Sequence, residues 1–281
     1  MSGILYVVAT PIGNLEDVTL RALRVLRDVS IIAAEDTRRT GRLLQHYSIS
    51  TPTTSLHEHN ERSRSPQLIA RLEAGESVAL VSDAGTPLVS DPGARLVTMA
   101  HEAGIRVEPV PGPSAAVTAL SAAGFDAASV HFAGFPPARG GARTAWFDEA
   151  KRLTGVLVLY EAPHRVQRTL ADLLAVLGDR QAAVGRELTK IHEELVVRPI
   201  AAHLAQLGEP RGEYTIVVRL PDTWAQPVDF PGDAELLTEF GVLTESVPGR
   251  RRDVVRLLAG KYGRTPGEIY GRLEQAKKSV D

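Results

Sequence analysis

The chain has 281 residues, 43% hydrophobic and 23% charged, so it can bury two domain cores and a small appendage without covalent staples. It has no cysteine, which excludes a disulfide framework, a thiolate nucleophile and a Cys-ligated zinc site. The net charge of −2 excludes a uniformly basic nucleic-acid binder.

The charge is uneven. Residues 249–281 carry nine Lys/Arg against four Asp/Glu, net +5, which leaves −7 for the remainder. A basic module on an acidic body points to an anionic partner for the module. The N-terminal apolar stretch is short, and no run approaches the roughly 20 apolar residues of a membrane helix. A soluble cytoplasmic protein is expected.

Short apolar runs alternate with amphipathic patterns. ILYVVA (4–9) reads as a strand and TLRALRVLRD (19–28) as a helix. SIIAA (30–34) is a strand, followed by a helix over 38–46. SVALV (77–81) is a strand, after which Asp91 and Pro92 read as N-cap and N1 of the next helix. IRVEPV (105–110) is a strand and SAAVTALSAAG (114–124) a helix ending on glycine. This βαβα alternation predicts an α/β fold with a largely parallel sheet. A second block has strands near 131–135, 155–162, 181–188, 193–200 and 213–220, with a helix over 163–178. Its closer strand spacing predicts a mixed sheet, with 193–200 at an edge. The predicted organisation is an α/β domain over 1–112, a second over 113–221, a proline-rich linker at 222–232 and a basic helical module over 233–281. In that module Thr265-Pro266-Gly267-Glu268 reads as a capping box, and the last helix pair resembles a helix-turn-helix.

Five loops follow strands and carry the candidate chemistry. VSDAGTPLVSDPG (81–93) has neither the lysine of a phosphate loop nor the GxGxxG dinucleotide fingerprint. With Asp83 and backbone amides it suits a neutral or cationic ligand, whereas Asp91 reads as a helix cap. ATPIGNLED (9–17) lies where open α/β sheets bind ligands, beyond a strand's carboxyl end. AAEDTRRT (33–40) clusters Glu35, Asp36, Arg38 and Arg39, and the helix dipole accounts for the acids but not for the arginines. PGPSAA (111–116) bends the chain into small residues that allow either close ligand approach or close packing. YEAPHR (160–165) and GRELTK (185–190) place charges directly after apolar runs. His57 and His59 lack an evident third ligand, so no metal is expected. Trp146 and Phe147, on a polar segment, are candidate anchors of a subunit contact.

The ordered set TPIGNLEDVTLRAL, AEDTRRTGRLL, SDAGTPLVSDPG, PGPSAAVTAL, GFPP, YEAPHR and GRELTK resembles the ribosomal RNA small subunit methyltransferase I family of the tetrapyrrole-methylase superfamily. The resemblance implies two αβα domains with S-adenosylmethionine in the cleft between them, and a homodimer. It implies 2′-O-methylation of a cytidine ribose in 16S rRNA at the decoding centre. It assigns Thr10, Pro11, Asp83, Ala84, Gly85, Thr86, Ser114, Ala115 and Tyr160 to the cofactor. Asp36, Glu161 and Glu187 are the candidate bases. Arg38, Arg39, Arg165 and Lys190, with Arg250, Arg251, Arg252 and Lys261 of the tail, are the candidate RNA contacts. Rival readings are a corrin-pathway methylase and a non-enzymatic assembly factor that binds RNA.

Overall fold

The computed structural model describes residues 2–126, 128–221, 231–246, 251–262 and 264–278. The expected linker lies almost wholly outside them, as does Arg250, and the side chain of Lys261 is likewise not described.

The first domain is a five-stranded, all-parallel sheet in the order β3-β2-β4-β1-β5. Its strands are β1 (Ile4–Val8), β2 (Ile31–Ala34), β3 (Thr53–Ser55), β4 (Val78–Val81) and β5 (Arg106–Val110). β2 and β4 are buried at every position because helices cover both faces. The pleat sorts their side chains: Ile32, Ala34, Ala79 and Val81 pack with α1 (Leu20–Asp28) and α2 (Thr37–His46). Ile31, Ala33, Val78 and Leu80 face α3 (Glu61–Glu73) and α4 (Ala94–Glu102) on the other side.

The second domain is a mixed sheet in the order β6-β7-β10-β8-β9. β6 (Val130–Phe132) runs parallel to β7 (Val156–Glu161). β8 (Gln181–Arg186) and β10 (Tyr214–Arg219) are antiparallel to their neighbours, and β9 (Glu194–Pro199) is an edge strand, as its weak alternation predicted. α5 (Ala115–Ala123) covers one face through Ala116, Ala119 and Ala123. Its alanines bring the helix close to the sheet, so here the small residues serve packing. α6 (Gly141–Ala150), α7 (Pro163–Leu177) and α8 (Ile200–Gln206) lie on the other face around Leu157, Leu159, Leu170 and Leu173. Phe147 sits in this core under the Arg143 guanidinium, 4.9 Å from the ring centroid, so it is an internal anchor and not the subunit contact expected.

The tail is a separate cluster of α9 (Asp233–Ser246), α10 (Arg251–Tyr262) and α11 (Pro266–Lys278). The capping box forms: Thr265 N–H and Oγ1–H donate to Glu268, and Glu268 N–H donates back to Thr265 Oγ1 at 3.2 Å. Among the described residues no helix is long and apolar enough to cross a membrane.

Leu170 is fully buried between α7 and the second sheet. Leu170→Ala is expected to cost about 3 kcal/mol, read as a lower midpoint in urea unfolding with unchanged slope.

Candidate active site

The strands of the first sheet point their carboxyl ends at the second domain, and the loops that follow line a cleft of about 430 Å³. Asp83, Ala84, Gly85 and Thr86 come from the β4 loop, Glu35 and Arg39 from the β2 end, and Ser114 and Ala115 from the start of α5. Phe135, Tyr160, Glu213 and Tyr214 close it from the second domain. Thr10 and Pro11 line an adjoining cavity of similar size that shares Ile12, Arg39, Asp83, Ala84 and Glu213 with the first.

Backbone bonds set these loops. Thr10 and Gly85 exchange N–H···O bonds of 2.9 and 3.0 Å, and Thr10 Oγ1–H donates to the Ser82 carbonyl at 3.1 Å. The β1 and β4 loops therefore behave as one wall. Thr86 Oγ1–H donates to the Pro113 carbonyl at 3.2 Å, and Ala116 N–H to the Tyr160 hydroxyl at 3.2 Å. On the far side Asn14 N–H donates to Thr189 Oγ1 at 3.1 Å. A Cβ on Gly13 would lie 2.4 Å from Lys190 Cγ, so only glycine lets these two loops meet.

Asp91 corrects the sequence reading. It does not cap α4: the helix begins at Ala94, and its N-cap is Gly93 at φ 119°. A Cβ there would meet the Leu80 side chain at 2.7 Å. Glu61 does the capping instead, accepting from Gly93 N–H at 3.1 Å and Arg95 N–H at 2.8 Å. Asp91 is thereby left in the cleft, where burial and then repulsion from Glu35 push its carboxyl up to about 6 despite a hydrogen bond with Ser82. Burial and Asp83 raise Glu35 too. The only guanidinium in this cleft lining within ion-pair range of the cluster is Arg39, 3.4 Å from Asp83. Among the described residues no His/Cys/Asp/Glu group converges as metal ligands would. The first cleft is therefore acidic and suits a cationic organic ligand without phosphate. The adjoining cavity, with Arg39, Arg42 and Lys190, has the opposite bias.

The three carboxylates proposed from the sequence as bases each hold ion-pair partners, and of the three Glu161 lines the first cleft. Asp36 caps α2 and pairs with Arg38 at 2.8 Å, which holds its carboxyl well below the usual carboxylate range. Glu187 is raised by burial, but Glu213 N–H and Lys190 Nζ outweigh this and hold it low. Glu161 is buried: it accepts from Ala162 N–H at 2.8 Å and from Thr169 Oγ1, and it pairs with Arg165 at 3.1 Å. Arg143 donates to Thr169 Oγ1, Asp172 and the Pro137 carbonyl at 2.8–2.9 Å, and Arg165 donates to the Pro136 carbonyl. This network ties GFPP to YEAPHR and holds Phe135 against Tyr160, their ring centroids 5.5 Å apart. Arg165 is thus a structural side chain and not an exposed phosphate contact. Lys190 pairs with Glu187 and Glu213 at 2.9 and 2.8 Å beside the basic cavity. Arg38 is exposed, and Arg39 lies between the two cavities. Arg251 and Arg252 lie in the tail.

The sequence pattern described as "Tetrapyrrole (Corrin/Porphyrin) Methylases" matches residues 4–203. Ribosomal RNA small subunit methyltransferase I of Vibrio cholerae serotype O1 is 48% identical over 251 residues, covering 87% of this chain and 86% of the relative. The protein of that name from Escherichia coli O157:H7 is 47% identical over 251 residues, covering 88% and 86%. The chain belongs to the ribosomal RNA small subunit methyltransferase I family of tetrapyrrole methylases. It is a methyltransferase. The fold is shared with diphthine synthase (TM-score 0.60, 15% identity, covering 79% of this chain and 91% of that one). It is shared too with uroporphyrin-III-C-methyltransferase from Thermus thermophilus (TM-score 0.56, 24% identity, covering 77% and 94%).

Removing one partner of a buried ion pair strands the other charge. Glu161→Ala is therefore expected to lower unfolding free energy by about 3–5 kcal/mol, whereas Asp36→Ala, at the surface, is expected to cost clearly less, as a lost cap. Equilibrium denaturation of both variants measures the contrast.

Proposed function

We propose that the chain transfers a methyl group from S-adenosylmethionine to a cytidine 2′-hydroxyl of 16S rRNA, at cytidine 1402 of the decoding centre as the family resemblance implies. The reading extends to a cytoplasmic homodimer. The observation that carries it is the pairing of an acidic, lysine-free cleft with an adjoining basic cavity. S-adenosylmethionine supplies an electrophilic sulfonium methyl together with an ammonium, a carboxylate and a ribose diol, and it carries no phosphate. Glu35, Asp83 and Asp91 suit its positive charges, and the amides of Ala84, Gly85 and Thr86, with Ser114, Ala115 and Tyr160, offer partners for the rest. Thr10 and Pro11 join this wall to the second cavity, where Arg39, Arg42 and Lys190 suit the phosphates of an RNA strand.

In the transfer the carbon–sulfur bond breaks, a carbon–oxygen bond forms, and the hydroxyl proton must leave. Positioning supplies most of the acceleration, with effective molarities of about 10⁵ M or more. For the proton we assign Asp91 in place of Asp36, Glu161 and Glu187, each of which already holds an ion-pair partner. Beside a cation Asp91 is ionised, and once that charge is gone its proton affinity rises again. A base poised near the working pH contributes roughly 10²–10⁴-fold.

The test is methyl transfer from radiolabelled S-adenosylmethionine to small ribosomal subunits, with mass spectrometry of ribose methylation in 16S rRNA. The expected result is one new 2′-O-methylcytidine, and a fall in kcat of about 10²-fold for Asp91→Asn with little change for Asp36→Asn. Transfer to a corrin precursor instead, or no transfer at all, contradicts the reading.

A further inference from the structure

A second recess lies in the tail, around the Arg251 and Arg252 that the sequence offered as RNA contacts. Residues of α10 and α11, with Phe240 of α9, line a groove of about 560 Å³. On α10, Arg251, Arg252 and Arg256 share the face that lines it. On α11 the facing residue is Tyr270, 58% exposed, and Glu274 is the one acid in the lining.

Two features are unfavourable for a bare helical surface. Arg251 and Arg252 occupy the first turn of α10, where the helix dipole disfavours cations. A large aromatic ring stands in solvent beside them although the module has a well-formed core around Leu236, Leu258, Ile269 and Leu273. An occupant with anionic groups and a flat apolar face answers both, because guanidinium binds phosphate and stacks on planar rings. Paired RNA hides its base faces, so the aromatic side chain selects an unstacked base.

We propose that the groove between α10 and α11 receives an unpaired nucleotide of an RNA strand, its base stacked on Tyr270 and its phosphates held by Arg251, Arg252 and Arg256. The proposal rests on the rRNA reading only for the choice of polymer. It makes the module a reader of single-stranded segments that anchors the enzyme beside its target. It is not a helix-turn-helix that enters a groove of paired nucleic acid.

The experiment is fluorescence anisotropy of the full-length chain with a labelled single-stranded RNA oligonucleotide. The same strand in a duplex and a polyglutamate peptide are the comparison ligands. The single strand is expected to bind best. Tyr270→Ala is expected to weaken it about tenfold and to leave duplex binding unchanged, whereas Tyr270→Phe retains the wild-type affinity. Arg251→Ala combined with Arg252→Ala is expected to weaken binding and flatten its dependence on salt. Circular dichroism of each variant checks that the module stays helical. Equal binding of single strand and duplex, equal binding of polyglutamate, or wild-type affinity in a helical Tyr270→Ala variant overturns the proposal. A cleft variant, Asp83→Ala, separates the two readings. Lost methyl transfer with intact RNA binding supports both, and a wild type that binds the single strand but transfers no methyl group sinks only the proposed reaction.

Discussion

Glu35, Asp83 and Asp91 stand together in one partly buried cleft, and the rest of the site follows from how that crowding is tolerated. Like charges drawn out of water raise one another's proton affinity, which is what Glu35 and Asp91 show. Asp91's own contribution to the stability of the ligand-free fold falls as pH climbs from 3.8 to about 6, because the unfolded chain gives up that proton first. A fold keeps such an arrangement when its partner brings positive charge. Arg39 pairs with Asp83 and offsets Glu35 only in part, so the cleft keeps a surplus of negative charge.

The second domain serves this cleft by rigidity. A chain of buried polar contacts from Asp172 through Arg143, Thr169 and Glu161 to Arg165 locks the start of α7 against the loop at 134–137. Tyr160 stands near the end of β7, one residue before the buried carboxylate, and its hydroxyl accepts from Ala116 N–H at the start of α5. In YEAPHR the charged side chains of Glu161 and Arg165 are therefore tied into the second domain's own packing.

The alternation of apolar runs was enough to read both sheets, because β2, β4 and β7 are short, apolar and bounded by turn residues. β3 and α3 were not legible: β3 is three residues long, and α3 is highly charged and contains Pro66. At the site, the Asp83 loop stood out through its glycine and its missing lysine. Asp91 was misread because its true competitor for the cap, Glu61, lies 30 residues upstream and meets α4 only in three dimensions. The Asp-Pro-Gly order was the available signal, since a glycine directly after the proline marks a turn and not a first helical turn. For Glu161 the sequence alone could not tell a buried, hydrogen-bonded carboxylate from a free one.

Calorimetric titration of S-adenosylmethionine between pH 5 and 8, in buffers of different ionisation enthalpy, tests the central claim most directly. The account predicts uptake that tightens as pH rises through about 6, with proton release that fades above it and is markedly reduced in Asp91→Asn. Uptake with no pH dependence and no proton release, or no uptake at any pH, contradicts it.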